Sequence, residues 1–286
     1  MKKILITGAN SYIGTSFEKW MQQFGDRYHI DTIDMHGDQW KEKDFSQYHS
    51  VFHVAGIAHA DVSKVSEEIK QLYYKVNSEL AYETAKKYKN DLRGANGQFI
   101  FMSSIIIYGE ETNINIKKVI TPETEPSPSN FYGDSKWQAE KLITPLKSKN
   151  FKIAIIRPPM IYGENGKGNY QELVKIAKIT PFFPYFENER SMLSINRLSS
   201  FLKNIIDNNE YGIFFPQDPN YINTSMLVEK IAKQYGRKIY IIKGLSWLII
   251  LGSKFPGRVG KIINKAFGSL IYMSEVQDEN SNNKLF

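Results

Sequence analysis

The 286-residue chain contains no cysteine. Disulfides, thiolate metal sites and cysteine nucleophiles are therefore excluded, and a reducing, cytoplasmic compartment fits. No apolar run reaches the roughly 18 residues that mark a membrane-spanning helix. The opening MKKILITGAN has a basic start, but its apolar part is too short for a signal peptide and runs straight into a Gly-rich turn. It reads as a first strand.

Acidic residues are missing from one long stretch. None falls between Glu229 and Glu275, where nine of the 37 basic residues lie, so the remainder carries 28 basic against 30 acidic residues. The plain reading is a solvated basic face. The sharper readings are attraction to a diphosphate substrate, or to an anionic membrane beside the apolar run Leu245–Leu251. That run is short and interrupted, which weighs against the membrane. No aromatic-rich basic pattern accompanies the charge, so nucleic acid is not an expected partner. No metal site is assigned.

What is present is a strand–helix alternation. Apolar runs at Ile4–Thr7, Ile30–Asp34, Val51–Val54, Phe99–Met102 and Ile153–Ile156 read as buried parallel strands. Amphipathic segments lie between several of them, including Tyr12–Phe24 and Glu67–Lys89. The alternation predicts an α/β fold with a doubly wound, Rossmann-type parallel sheet. The link from Asp34 to Val51 is short and polar, so that crossover is expected to lack a full helix. After Gly163 the rhythm weakens. We expect a nucleotide-binding domain over 1–163, with its sheet completed by 191–216. A smaller C-terminal substrate-binding lobe is expected from 164–190 and 217–273, with a flexible tail over 274–286.

Gly8-Ala-Asn10-Ser11-Tyr12-Ile13-Gly14 follows the first strand and opens a helix. Gly8 permits a tight turn and Gly14 lets the helix lie close to the sheet. The helix N-terminus then offers free N–H groups to a pyrophosphate. Asp34 ends the second strand, 26 residues after Gly8. A carboxylate there accepts both ribose hydroxyls and repels a 2′-phosphate, which favours NAD and leaves NADP as the alternative. Asp31 is the rival, inside the strand. Asp44 is a candidate for the adenine amino group, with a plain loop carboxylate as the equal alternative.

Tyr132 and Lys136 share a helix face at i, i+4 spacing. An isolated tyrosine is too weakly acidic to serve as a base at neutral pH. A nearby ammonium, with the positive nicotinamide of the oxidised cofactor, would favour the phenolate, letting Tyr132 take the proton of a substrate hydroxyl as hydride leaves its carbon. Ser104, at the end of an earlier strand, would hydrogen-bond the same oxygen, and Lys136 could also hold the nicotinamide ribose. Tyr82–Lys86 repeats the spacing but precedes the serine strand, and it reads as an ordinary exposed pair.

Together TGANSYIG, the strand-end Asp34, HVAG, KVN, FMSSIIIYG, YGDSK and RPPMIYG resemble the extended short-chain dehydrogenase/reductases. The likeness is to the NAD-dependent epimerase/dehydratase family acting on nucleotide sugars, including capsule-locus enzymes working at C4 of UDP-N-acetylhexosamines. The resemblance implies Ser104, Tyr132 and Lys136 as a triad. It implies Val54, Ala55, Gly56, Asn77 and Pro159 as further cofactor neighbours, and Asn169 and Arg190 as diphosphate ligands. It also implies a UDP-sugar substrate and a homodimer through Glu67–Lys89 and the helix after Tyr132.

Three departures stand out. Ser11 replaces a usual Gly, Met160 a frequent Asn, and Asn196-Arg197-Leu198 an Asp-containing step. A 4,6-dehydratase would need an Asp-Glu pair where Ile105 and Ile106 stand. A C4 epimerase, a 4-keto sugar reductase and a non-catalytic nucleotide sensor remain. The sensor is disfavoured because both Tyr132 and Lys136 are kept.

Overall fold

The computed structural model of the chain describes residues 1–58, 65–110, 113–166 and 168–273; the expected tail, 274–286, lies outside them. In chain order the strands are β1 (Lys2–Thr7), β2 (Tyr28–Ile33), β3 (Ser50–His53), β4 (Gly97–Met102), β5 (Lys117–Ile120) and β6 (Phe151–Ile156). Then come β7 (Met160–Tyr162), β8 (Phe182–Pro184), β9 (Met192–Ser194), β10 (Gly212–Phe214), β11 (Tyr240–Ile242) and β12 (Ser269–Tyr272). The helices are α1 (Tyr12–Met21), α2 (Glu67–Tyr74), α3 (Leu80–Asp91), α4 (Phe131–Ile143) and α5 (Asn169–Ile179). They continue with α6 (Ile195–Asp207), α7 (Thr224–Gln234), α8 (Ser246–Ser253) and α9 (Arg258–Phe267).

Six strands form the main sheet in the order β10-β6-β4-β3-β1-β2, and every neighbouring pair is parallel. Alternate side chains point to opposite faces, so each strand feeds two cores. Leu5, Val51, Phe99, Phe101 and Ile153 pack with Ala81, Ala85 and Tyr88 of α3 and Ala139 and Ile143 of α4. Ile4, Ile6, Phe52, Ile100 and Ile156 pack on the other face with Phe17 and Met21 of α1 and Leu198 and Leu202 of α6. Burial on both faces explains why these strands read as continuous apolar runs rather than alternating ones.

The polar link before β3 holds only a 3₁₀ turn at Gln39–Lys41, which leaves β2 as an edge of the sheet. The long amphipathic segment is α2 and α3 joined by a π-helical turn at Lys75–Glu79. Outside the main sheet, three two-stranded pairs form, β5 with β12, β7 with β9 and β8 with β11. A separate core joins Tyr170, Val174 and Ala177 of α5 to Leu227, Val228 and Ile231 of α7.

His53 closes β3 at 0% exposure. Its ring stacks with those of Phe99 and Phe101 at 5.7 and 6.1 Å, and Nδ1 lies 2.8 Å from the Thr7 hydroxyl. Nε2 has no partner among the described residues. Burial, with a smaller push from Lys136, holds its pKa down to about 3. The unfolded chain therefore binds a proton below about 6.5 that the folded chain refuses, and stability falls as pH drops from there toward 3. Between pH 7 and pH 5 this one group should cost roughly 2 kcal/mol. Urea midpoints of the wild type and His53→Leu at both pH values test it. The gap between the two proteins should shrink by about that amount at pH 5, and an unchanged gap would assign the acid sensitivity to other groups.

Candidate active site

The site gathers at the carboxyl ends of β1, β2, β3 and β4. At β1, the Gly8 and Ala9 amides both donate to the Ile33 carbonyl, at 3.0 and 3.1 Å, so the chain turns tightly against β2. Gly8 has φ +88°, and a Cβ there would sit 2.8 Å from the Ala55 backbone. Val54 and Ala55 form the facing wall. A Cβ built at Gly14 meets Ser11 Oγ at 2.6 Å, Ile6 at 3.1 Å and Val54 at 3.3 Å, so α1 is pressed onto the sheet. Asn10 also adopts a positive φ of 68°. Ser11, the departure from Gly, is the N-cap of α1, and its hydroxyl accepts from the Gly14 amide at 3.1 Å. The amides of Tyr12 and Ile13 have no acceptor among the described residues. Helix-start donors and a turn that admits no Cβ are the features a pyrophosphate requires, and the turn fits the dinucleotide.

Asp34 follows β2 directly and is exposed. Its carboxylate accepts from the His36 amide at 3.0 Å and lies 2.6 Å from His36 Nδ1. The His36 side chain is the main reason its pKa lies below the usual carboxylate range. The rival Asp31 is committed elsewhere, accepting from the Tyr48 hydroxyl at 2.5 Å and pairing with His29 at 3.2 Å. Asp44 requires a correction. The Phe45 amide donates to Asp91 at the end of α3, and Asp44 itself accepts from the Ser46 amide and hydroxyl. Fourteen helical residues separate Asp91 from Asn77, about 21 Å at 1.5 Å per residue. Without a crossover helix the link descends along α3, which carries Asp44 away from the Gly8 turn.

Ser104 ends the loop after β4 and caps a 3₁₀ turn at Ile105–Tyr108, accepting from the Ile106 amide at 3.3 Å. Tyr132 lies in the first turn of α4, which Asn130 caps through the Gly133 amide. The Ser104 side chain faces that of Tyr132. Burial nevertheless pushes the Tyr132 pKa up to about 12, with the Ser104 contact opposing it and Tyr73 adding to it. Lys136 is only 5% exposed, its ammonium donates to the Met102 carbonyl at 2.9 Å, and it lies over the Phe101 ring at 4.9 Å. Burial lowers its pKa to about 8, against a smaller opposing pull from Glu140. The look-alike pair Tyr82–Lys86 sits on α3 with the ammonium 5.7 Å from the ring centre.

Asn77 explains the π-turn. Its amide accepts from the Ile57 amide at 2.8 Å and donates to the Ile57 carbonyl at 3.0 Å and to Ser135 Oγ at 3.0 Å. The extra residue of the turn swings Asn77 inward, so that one side chain ties the loop after β3 to α4. Gly56 is held in the same place, because a Cβ would lie 3.0 Å from Asn77 Oδ1 and 3.1 Å from Lys136 Nζ. Pro159 is buried in the link from β6 to β7.

Sequence reasoning missed the buried network beneath the triad. Glu140 and Arg157, at 1% and 5% exposure, pair at 2.6 Å. Ser103 donates to Glu140 at 2.5 Å, Arg157 donates to the Tyr108 hydroxyl at 2.5 Å, and the Tyr272 hydroxyl donates to the Arg157 carbonyl at 2.8 Å. The signal was available, since Glu140 continues the Tyr132–Lys136 face by one more turn.

Of the two expected diphosphate ligands, Arg190 donates through Nη1 to the Lys265 and Gly268 carbonyls at 2.8 and 3.0 Å. One edge of its guanidinium therefore closes the C-terminal end of α9, a favourable place for a cation, rather than lying wholly free for a ligand. Asn169 opens α5, and its side chain lies outside the described residues. Met160 lies in β7 and packs against the α5–α7 core. Arg197 stands 3.7 Å from Asp218, which also accepts from the Tyr162 hydroxyl at 2.6 Å. Asp218 thus supplies a carboxylate beside the step where the sequence lacks one.

Residues 1–181 match the RmlD substrate binding domain model. The chain is 28% identical to a UDP-glucose 4-epimerase of Vibrio cholerae, over 94% of this chain and 86% of that protein. It is also 28% identical to an N-acetyl-alpha-D-glucosaminyl-diphospho-ditrans,octacis-undecaprenol 4-epimerase of Escherichia coli O157:H7, over 82% and 73%. Among solved structures, the dTDP-4-dehydrorhamnose reductase of Bacillus anthracis, in complex with NADP, shares the fold at TM-score 0.65 and 19% identity, covering 85% and 84%. The chain belongs to the RmlD substrate binding domain family within the extended short-chain dehydrogenase/reductases, and it is an NAD(P)-dependent epimerase/oxidoreductase of that type.

Proposed function

We propose that the chain is a sugar-nucleotide 4-epimerase using NAD, acting on a UDP-hexose or UDP-N-acetylhexosamine. The observation that carries this reading is the placement of Ser104, Tyr132 and Lys136 at the end of the sheet that also bears the Gly8–Gly14 turn. The 28% identity to a UDP-glucose 4-epimerase over 94% of the chain supports it. Gly8, Asn10, Tyr12, Ile13 and Asp34 would hold the dinucleotide, with Lys136 near its nicotinamide ribose. When bound, NAD supplies a hydride acceptor at the sugar C4. Ser104 fixes the C4 oxygen by hydrogen bonding. Tyr132 takes the hydroxyl proton in one half-reaction and returns it in the other. The 4-keto sugar turns between the two, so that C4 is reduced on its other face while Tyr132 returns the proton to the C4 oxygen. Asp34, with no arginine in the next few residues, favours NAD over NADP.

A second reading is reduction of a UDP-4-keto-6-deoxy-N-acetylhexosamine in surface polysaccharide synthesis. The motif resemblance to capsule-locus enzymes working at C4, and the match of residues 1–181 to the RmlD substrate binding domain model, support it. We further propose a homodimer through α2 and α4, which present Ile69, Leu72 and Leu142 to solvent.

Proton NMR of the anomeric signals separates the readings. The protein is mixed with UDP-N-acetylglucosamine and catalytic NAD, without reductant. Appearance of the galacto isomer is the expected result. A flat trace, with consumption of a UDP-4-keto-6-deoxy sugar when NADH or NADPH is supplied, would replace epimerisation by reduction.

A further inference from the structure

The hairpin of α8 and α9 lies outside the catalytic chemistry and has an unusual surface. α8 is apolar over most of its length, yet among its residues only Ile249 is buried. It joins Phe267, Ile114 and Phe186 in a small core that fixes the hairpin to the protein. Trp247, Leu248, Leu251, Phe255, Val259 and Ile262 are each between 44% and 57% exposed. Scattered exposed apolar residues need no explanation, but a contiguous set on one hairpin marks an interaction surface. Lys243, Lys254 and Lys265 flank it in exposed positions. The whole stretch from Lys230 to Ser274 contains nine basic residues and no acidic one.

We propose that this hairpin docks the enzyme on an anionic lipid bilayer surface. Charge complementarity selects the occupant. A second copy of the chain would bring the same net positive charge against it, whereas an anionic leaflet attracts each basic residue near the surface. Apolar tips ringed by lysines, with a tryptophan among them, suit the boundary between headgroups and acyl chains. α8 has eight residues, about 12 Å of helix, so it lies in the interface and does not cross. Among the described residues no helix is long and apolar enough to span a membrane. The hairpin is also tied to the site. Lys265 pairs with Glu110 at 3.2 Å, two residues beyond the turn that Ser104 caps, and Arg190 holds the carbonyls at the end of α9. A docked hairpin therefore sets the catalytic cleft at a fixed height and tilt above the lipid.

Flotation of the full chain with vesicles tests this. Vesicles of phosphatidylcholine alone are compared with vesicles in which about a third of the lipid is phosphatidylglycerol, at low and high salt. The protein should float with the anionic vesicles at low salt and stay behind at high salt or without phosphatidylglycerol. Trp247→Ser with Leu251→Ser should weaken binding more than about tenfold, with an unchanged melting temperature because both side chains are exposed. Lys243→Glu with Lys254→Glu should do the same through charge alone. Absence of flotation on anionic vesicles would overturn the proposal, as would binding that both double variants leave intact. If the apolar variant instead dissolves a dimer seen by sedimentation, the face is a self-association surface and the membrane proposal falls. None of these outcomes depends on which sugar the enzyme turns over.

Discussion

Replacing Tyr132 by Phe should lower turnover by about 10²–10⁴-fold, the usual worth of a positioned proton-transfer group. The ring stays and one oxygen goes, so α4 keeps its packing against Tyr73, whose ring centre lies 6.1 Å away. Dinucleotide affinity should change little, because the Gly8 turn and Asp34 are untouched. Titrating NAD by intrinsic fluorescence and measuring steady-state rates on the same preparation separates the two effects. Loss of both together would mean that Tyr132 holds the cofactor site in shape. Near-normal turnover would remove it as the proton-transfer group.

Arg157→Met is expected to be the most destabilising of the simple substitutions. The Glu140 carboxylate accepts from Arg157 Nε at 3.2 Å on both oxygens and from Nη2 at 2.6 Å. After the substitution only the Ser103 hydroxyl and the more distant Lys136 charge remain to it. A buried charge stripped of its partner typically costs about 3–5 kcal/mol. Removing both charges, as Glu140→Leu with Arg157→Met, should recover much of that loss, since a buried pair itself contributes little net stability. Urea unfolding of the two single variants and the double completes the cycle. A cost below about 1 kcal/mol for Arg157→Met would overturn the dependence of Glu140 on this one partner.

These two predictions mark where sequence reading succeeds and where it stops. The turn at Gly8, the strand-end position of Asp34 and the helix bearing Tyr132 and Lys136 are local features. Each depends on spacing within a few residues and on apolar runs that declare buried strands. What a side chain does once buried depends on partners far along the chain. Lys136 turns to the Met102 carbonyl because the sheet lies beneath α4, and no periodicity reports that. Asp44 follows the strand-end Asp34 closely enough in sequence to be a candidate for the adenine, but the helix-free link takes it down the flank of α3, where the Phe45 amide meets Asp91. Arg190 reads as a phosphate ligand until α9, about seventy residues later, presents its terminal carbonyls. Glu140 alone was within reach, one helical turn past Lys136, but its partner Arg157 lies on a different element.

The helix-free link has a cost that the protein meets locally. It leaves β2 paired, among the described residues, with β1 alone, so one side of its backbone is open to a stray strand from another molecule. Such edges are where aggregation starts, and charge is a common guard. Here His29 and Asp31 sit two apart on β2 and pair at 3.2 Å, with Lys43 3.9 Å from the same carboxylate. A foreign strand would have to bury that cluster to add itself to the sheet.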